Sequence, residues 1–533
     1  MIKKLGRPSK LMLLLLTLVL VFVSGCQAIG GVDLNTVLKN TLKVTSSESK
    51  QTLTFKMQLD DEALNDLLDE EIAIYKLLSK VELQLDHVKM EDSMRASFDG
   101  KLTLGDSTSI GFAMKMNESN AIVEIEGAKQ PFVLDMTGES LAAEFAGVDT
   151  AANASADGEE SLAALGHAII DTVGGYAIDN LPNPEKIDVK PVTETINGES
   201  VALMQVHAEM DGKAIWAWVK KYVDALVADQ AGLEKMIKGI VEVLSSNPDV
   251  WEALGTVNPF EESGQLDAPT TDELIQQAID EAVIMFKDLQ DELKAMESED
   301  PELIDSLLGD NLNVKADVYV DSKLDIRKQG LELSYTLPAE EDEELSFIPI
   351  KGFTLTSVSE LWNVNGNVLA EPAVVPAAYI DENQLLELSD YQLLKLFKED
   401  SAVYDILRNK LHLNRQSVSF YVDSYYNPPI VVKGGITLVP LRPTAEALGS
   451  EIQYDPKTKT ITLYDEATGT TIELKTGSDK VLVNGVGATW SFPVTNVDGT
   501  AYVPARSLSN ALNAKLAWQD FYGEKSLTIA REV

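Results

Sequence analysis

The chain has 533 residues, 45% apolar and 24% charged, the make-up of an ordinary globular protein with length for roughly two to four domains. Its formal charge is −41, from 44 basic and 85 acidic residues. That excludes nucleic acid as a partner, because phosphate binding needs a basic stripe. Cys26 is the one cysteine, so no internal disulfide can form.

At the N-terminus, Lys3, Lys4, Arg7 and Lys10 precede an apolar run from Leu11 to Val23 that only Thr17 interrupts. A basic start, a short apolar core and small residues are the layout of a secretory signal. The run is short for a bilayer crossing, which takes roughly 20 apolar residues. Val23, Ser24, Gly25 and Cys26 resemble the lipobox of bacterial lipoproteins. That resemblance implies cleavage before Cys26, a diacylated sulfur and a new N-terminus at Cys26. Two acyl chains suffice for stable anchoring. The expected location is the outer face of the bacterial cytoplasmic membrane, of Gram-positive type, with membrane lipid as the first partner. Residues 1–25 are then the signal peptide and 26–40 the lipidated Cys and a small, polar tether.

From residue 41 to 345 the sequence predicts an α+β domain of antiparallel sheet with helical insertions, whether one unit or two. Leu53, Phe55, Met57 and Leu59 alternate with polar residues, as do Val81, Leu83 and Leu85, and Ile110, Phe112, Met114 and Met116. A period of two marks strands with one buried face and one wet face. Asp99-Gly100 reads as a hairpin turn between Met94–Phe98 and Leu102–Leu104. The acidic stretch from Asp61 to Lys80 has helical spacing. Ala143 to Glu160 reads as a loop and Leu162 to Val173 as a helix. Asn197-Gly198 precedes a strand from Val201 to Met210. Ile215, Trp216, Val219, Val223 and Leu226 form a helical face. Thr270 to Glu273 fits a capping box for a further helix. Strands return at Val314–Val320 and Leu331–Leu337, and the acidic run Glu340–Glu344 reads as a solvated loop.

Residues 346–426 read as a connecting region of strand and helix. A strand is expected over Phe347–Trp362 and a turn at Asn365-Gly366. Helices are expected from Glu382 to about Leu396, capped by Asp381, and from Ser401 to Leu411.

Residues 427–533 carry an internal repeat. Gly435 to Pro443 (GITLVPLRP) recurs as Gly499 to Ser507 (GTAYVPARS), which places Pro440 against Pro504 and Arg442 against Arg506. Each copy reads as a strand ended by proline, a short helix, a residue suited to a left-handed C′ position (Gly449 or Asn513), an aromatic (Tyr454 or Trp518) and a return strand. The pattern Val-Pro-Leu-Arg-Pro-Thr-Ala-Glu-Ala-Leu-Gly, followed by aromatic-Asp and Lys-Thr-Ile-Thr-Leu, resembles the copper amine oxidase N-terminal-like (stalk) domain. The resemblance implies a small antiparallel-sheet-and-helix domain built on a duplicated strand–helix–strand motif. It implies neither copper nor oxidase chemistry, which in the oxidases belong to another domain. Arg442 and Arg506 are expected to be structural, their five donors tying strand and helix ends together.

Chemistry is sparse. His87, His167, His207 and His412 are far apart, with no metal-ligand spacing between them. Gly105-Asp106-Ser107-Thr108-Ser109 is similar to the nucleophile block of GDS-type lipases. That family also needs Asp-x-x-His, and none of the four histidines has Asp three residues before it. The block joins two strands, where hairpin chemistry explains it. Asn153 to Gly158 and Val494 to Gly499 echo the start of a calcium loop but have Ala164 and Ala505 where its closing Glu would stand. No cofactor or catalytic residue is expected. The expected function is therefore non-enzymatic binding or scaffolding at the cell surface through the stalk-like module, with cell-wall or surface polymer as partner. The alternative is a carrier of lipid or another apolar ligand, since the order of elements resembles half-barrel lipoproteins that shuttle acyl chains. A surface hydrolase ranks last.

Overall fold

The computed structural model describes residues 31–136, 156–246, 270–337, 349–521 and 524–533. The signal peptide, the lipobox with Cys26, residues 153–155 and the acidic run Glu340–Glu344 lie outside the described residues, while Asp157 and Gly158 of the calcium-loop-like stretch belong to a helix. The chain divides into two units, one of residues 1–125 and 131–379, the other of residues 126–130 and 380–533.

The first unit is organised on an antiparallel sheet. Its strands are β1 (Ser47–Leu59), β2 (Lys80–Met90), β3 (Ala96–Leu104), β4 (Thr108–Met116), β5 (Asn120–Ile125), β6 (Phe132–Asp135), β7 (Lys186–Ile196), β8 (Glu199–Asp211), β9 (Leu312–Val320), β10 (Ile326–Thr336) and β11 (Ile350–Trp362). They stand in the order β6-β5-β4-β3-β2-β1-β11-β10-β9-β8-β7. Two meanders therefore meet where β11 returns beside β1, with Phe55 opposite Leu355. Ile350–Trp362, grouped in the sequence with the connecting region, is a central strand. The β7–β8 hairpin turns at Asn197 and Gly198, both at positive φ (47° and 81°), as a two-residue type I′ turn requires.

Asp99-Gly100 is not a turn. It lies inside β3, with Gly100 between Leu85 and Phe112. A Cβ on Gly100 would sit 2.7 Å from the Phe112 ring, so the glycine makes room for an aromatic on the neighbouring strand.

Helices fill the long crossings. After α1 (Leu34–Leu42), the expected helix after Asp61 is two, α2 (Asp61–Leu64) and α3 (Asp69–Leu78). α4 (Ala156–Asp179) is longer than the periodicity of Leu162–Val173 indicates and includes Ala156–Glu160, expected as loop. α5 (Gly212–Ala228) buries Ile215, Trp216, Val219, Val223 and Leu226, the face read from the sequence. α6 (Gln230–Ser245) follows, and α7 (Thr271–Glu299) opens with the Thr270/Glu273 capping box. α8 (Pro301–Leu308) leads into β9. Trp216, Trp218, Val219 and Leu308 pack on Met210, Val314 and Ala316 of the sheet.

The second unit begins with β12 (Ile380–Asp381). The single helix expected over Glu382–Leu396 is two, α9 (Glu382–Glu387) and α10 (Asp390–Lys395), because Ser389 and Gln392 form a second capping box. α11 (Ala402–Asp405) runs on as a π turn, Ile406–Lys410. The repeat region has β13 (Arg415–Tyr421), β14 (Ile430–Val432), β15 (Ile436–Pro440), α12 (Leu441–Ala447), β16 (Ser450–Asp455), β17 (Thr460–Asp465), β18 (Thr470–Lys475), β19 (Lys480–Val483), β20 (Val486–Thr489), β21 (Thr495–Val497), β22 (Thr500–Pro504), α13 (Ala505–Ala511), β23 (Lys515–Phe521) and β24 (Glu524–Glu532). They form sheets β13-β24-β23, β14-β15-β22-β21 and β16-β17-β18-β19-β20. Equivalent strands of the two copies pair antiparallel, with Val439 directly opposite Val503. Those residues occupy the same place in their repeats, so a local two-fold axis passes between them. Leu441, Ala445 and Leu448 of one copy and Ala505, Leu508 and Leu512 of the other share one core with Leu463, Ile472, Leu527 and Ile529.

Candidate functional site

Successive side chains of a strand point to opposite faces, and in the first unit the register sorts them by polarity. One row crosses seven strands as Leu104, Val81, Phe55, Leu355, Leu333, Val314 and Met210. A parallel row begins Ile110, Leu102, Leu83, Leu53. On the other face the corresponding row reads Ser109, Thr103, Glu82, Thr54, Thr356, Glu332, Lys315 and Glu209. The sheet thus has one apolar face and one polar face.

Among the described residues the apolar face is covered unevenly. Val314 and Met210 lie under the helices at 0% and 2% exposure. Leu104, Val81, Phe55, Leu355 and Leu333 continue the same row half-buried, as do Leu53, Leu83, Leu102 and Ile110. The Phe55 and Phe353 rings are 5.9 Å apart and Phe353 meets Tyr335 at 5.6 Å. Phe98 and Phe112 meet edge to face at 6.2 Å. A core-like surface of aliphatic and aromatic side chains therefore extends past the helices that cover its other half.

A cleft of about 730 Å³ opens between α1, α4 and α6. Its charges are of both signs, and two pairs of them bridge: Lys39 with Asp179 at 2.6 Å and Lys238 with Glu234 at 2.5 Å. Asp229 in its wall accepts from Gly232 N and from Asn180, which caps α6. The Tyr176 hydroxyl donates to Leu226 O, and burial pushes it up to about 12. These contacts hold a helix junction together.

The other sequence candidates are dispersed. His87 meets Asp99 at 2.9 Å on the surface. His207 meets Asp317 at 2.9 Å on the polar face, where Gln205 also donates to Asp317. Gly105 takes positive φ (59°) in the turn joining β3 to β4, so Gly105–Ser107 is hairpin chemistry. Asp498 and Gly499 turn the β21–β22 hairpin at φ 48° and 88°, and the Asn496 side chain accepts from Gly499 N. Among the described residues no three His, Cys, Asp or Glu side chains converge as metal ligands.

In the repeat region Pro440 and Pro504 each end a strand and precede a helix, and Gly449 and Asn513 follow the helices at φ 70° and 53°. Arg442 and Arg506 do not tie strand to helix. Arg442 is exposed and bridges Glu446 one turn along its own helix at 2.9 Å, and Arg506 is exposed. Arg531 of β24 takes that role. It is buried and donates to Asp465 of β17 at 2.8 and 2.5 Å, to Gln416 at 2.7 Å, to Leu512 O at 2.8 Å and to Leu448 O. Leu448 and Leu512 close the two helices, so one guanidinium satisfies carbonyls at both helix ends. Burial pushes the Asp465 carboxyl up, but hydrogen bonds from Arg531, Thr468 and Ser450 outweigh it and hold it below the usual carboxylate range.

A family model described as the copper amine oxidase N-terminal domain matches residues 416–524, about a fifth of the chain. The matched domain is a non-catalytic, stalk-like module. The match ends at the first residue of β24, the strand that carries Arg531. No curated protein matches the chain.

Proposed function

We propose that this chain is an exported lipoprotein, anchored through acylated Cys26 to the outer face of the cytoplasmic membrane, that binds rather than reacts. Two findings support a non-enzymatic role for the parts described. The family match is to a non-catalytic module, and His87, His207 and Asp229 of the first unit pair locally with Asp99, Asp317 and the start of α6. In this reading the duplicated domain is the scaffolding element and meets cell-wall or surface polymer. Cys26→Ser tests the anchor: the variant is expected in the soluble fraction, and unchanged membrane fractionation would sink the lipoprotein reading.

The observation that carries furthest is the half-buried continuation of the Leu104-to-Met210 row. It favours the second reading, in which the first unit carries lipid or another apolar ligand. Side chains this apolar, arrayed across adjacent strands with no charge among them, offer an apolar molecule the environment that Met210 and Val314 have under the helices. Mass spectrometry of solvent extracts from purified Cys26→Ser protein decides this. An apolar compound in stoichiometric amount is expected, and its absence, together with failure of a hydrophobic fluorescent probe to bind, would leave scaffolding alone.

A further inference from the structure

Exposed aromatic side chains gather at one end of the three-stranded sheet of the second unit. Tyr421 closes β13, and Tyr425 and Tyr426 follow at 98% and 85% exposure. Tyr421 lies opposite Ser526, and Ser526 opposite Gln519. Val422 N also donates to Lys525 O. β13 and β23 therefore flank β24 in one sheet, with Tyr421 on the face of Gln519 and Trp518 on the other face, in the row of Leu527 and Phe420 but exposed on the outer strand. Trp518, Gln519, Asp520 and Lys525 line a shallow hollow of about 400 Å³. Tyr454, the counterpart of Trp518 in the first repeat, is exposed as well, at 53% against 47%. Large rings left in water at both copies of a duplicated position, together with two nearly bare tyrosines after β13, mark a contact surface.

Charge and composition select the occupant. Rings that seat at a membrane interface are accompanied by lysine or arginine. Here one lysine, Lys525, is offset by Asp423 and Asp520, on a chain of net charge −41 that an anionic leaflet repels. A dry protein contact wants a continuous apolar centre, whereas an amide, a carboxylate and an ammonium adjoin Trp518. Flat ring faces beside hydrogen-bonding groups suit a sugar: its C–H face lies on the ring, and its hydroxyls meet Gln519 and Asp520. Acidic neighbours favour neutral or amino-bearing sugars over acidic ones.

We propose that this aromatic end of the C-terminal unit binds a polysaccharide of neutral or amino-sugar units, with Trp518 and Tyr454 offering related contacts in the two repeats. The proposal rests on the surface-protein reading and names the chemistry of its partner. The test is co-sedimentation of full-length Cys26→Ser protein with insoluble peptidoglycan stripped of attached polymers, with chitin and with cellulose, beside phosphatidylglycerol vesicles. Binding to at least one glycan is expected, weakened tenfold or more by Trp518→Ala combined with Tyr425→Ala and Tyr426→Ala. Tyr464→Ala, an exposed tyrosine of the five-stranded sheet, should leave it unchanged, and circular dichroism and Tm establish that each variant is folded. No retention on any glycan overturns the proposal, and so does vesicle binding that the same substitutions abolish. Glycan retention indifferent to those substitutions overturns the site while leaving the surface reading standing. That reading fails separately, through the fractionation of Cys26→Ser.

Discussion

Asp465 and Arg531 hold the same place in the two repeats and are each other's partner. In β17 the buried positions are Ile461, Leu463 and Asp465, and in β24 they are Leu527, Ile529 and Arg531. The two triplets stand 531 − 465 = 527 − 461 = 66 residues apart. Duplication placed one residue twice beside a local two-fold axis, where two like charges would repel, and the copies hold opposite ones.

Removing one member leaves a buried, uncompensated charge. Arg531→Met is expected to cost about 3–5 kcal/mol in the unfolding of the C-terminal unit. Asp465→Leu with Arg531→Met should recover most of that loss. Urea unfolding followed by tryptophan fluorescence measures both, and additive losses would refute the pairing.

Symmetry makes a sharper demand. Because Leu448 O and Leu512 O are related by the same axis, exchanging the charges (Asp465→Arg with Arg531→Asp) leaves a guanidinium within reach of both carbonyls. The exchanged protein should unfold at a higher Tm than either single reversal. A Tm no better than that of the worse single variant would show that the site is not interchangeable.

The same pair sets a pH dependence. The Asp465 carboxyl is held below its ordinary value when folded, so it binds protons more readily unfolded. Its contribution is present above its unfolded pKa of about 4 and is lost as pH falls through the lower folded value. The stability gap between wild type and Asp465→Asn should be constant near neutrality and shrink below about pH 4. A gap that persists at pH 2 would contradict this.

The uneven cover of the large sheet predicts unequal costs along one face. Met210→Ala, under the helices, should destabilise the first unit by about 2–5 kcal/mol. Leu83→Ala, on the half-buried stretch, should cost about 1 kcal/mol in protein stripped of any apolar ligand. Equal costs would mean that both halves are equally packed.

Gly100→Ala places a methyl 2.7 Å from both the Phe112 ring and Gln84 O, and a loss of about 1–3 kcal/mol is expected. Adding Phe112→Leu should cost less than the sum of the two single changes. Strict additivity, read from chemical denaturation, would dissociate the glycine from that ring.

The period-two strands, the Thr270 cap and the α5 face were readable because each depends on neighbours in sequence. Asp99-Gly100 misleads because its dipeptide chemistry is that of a turn, while the reason for the glycine, Phe112, is visible only once β3 and β4 are paired. Arg442 and Arg506 drew attention by recurring in a motif, yet both point to water. Arg531 was hidden because the return strand is offset by 66 residues whereas the motif is offset by 64. Had the two strands been aligned on their own alternation, Asp465 and Arg531 would have stood out as charges at core positions. Tyr454 and Trp518 do not start their strands: Tyr454 lies next to the end of β16 and Trp518 in the middle of β23, and their exposure was not legible because side-chain outlook depends on what packs there.

β11 lies beside β1 in the first unit, and β24 lies between β13 and β23 in the second. In the first unit the strand synthesised last takes an interior place next to the one synthesised first, and in the second it lies next to β13, the first strand of the repeat region. Neither sheet can be completed while its chain is still emerging, so folding must wait for the whole unit. Pairings that distant in sequence are slow to find. A nascent chain stalled within either unit would present an unpaired β1 or β13 edge, the kind of template that invites aggregation. For the second unit, loss of the last strand would open the three-stranded sheet at its middle and remove Arg531 with it.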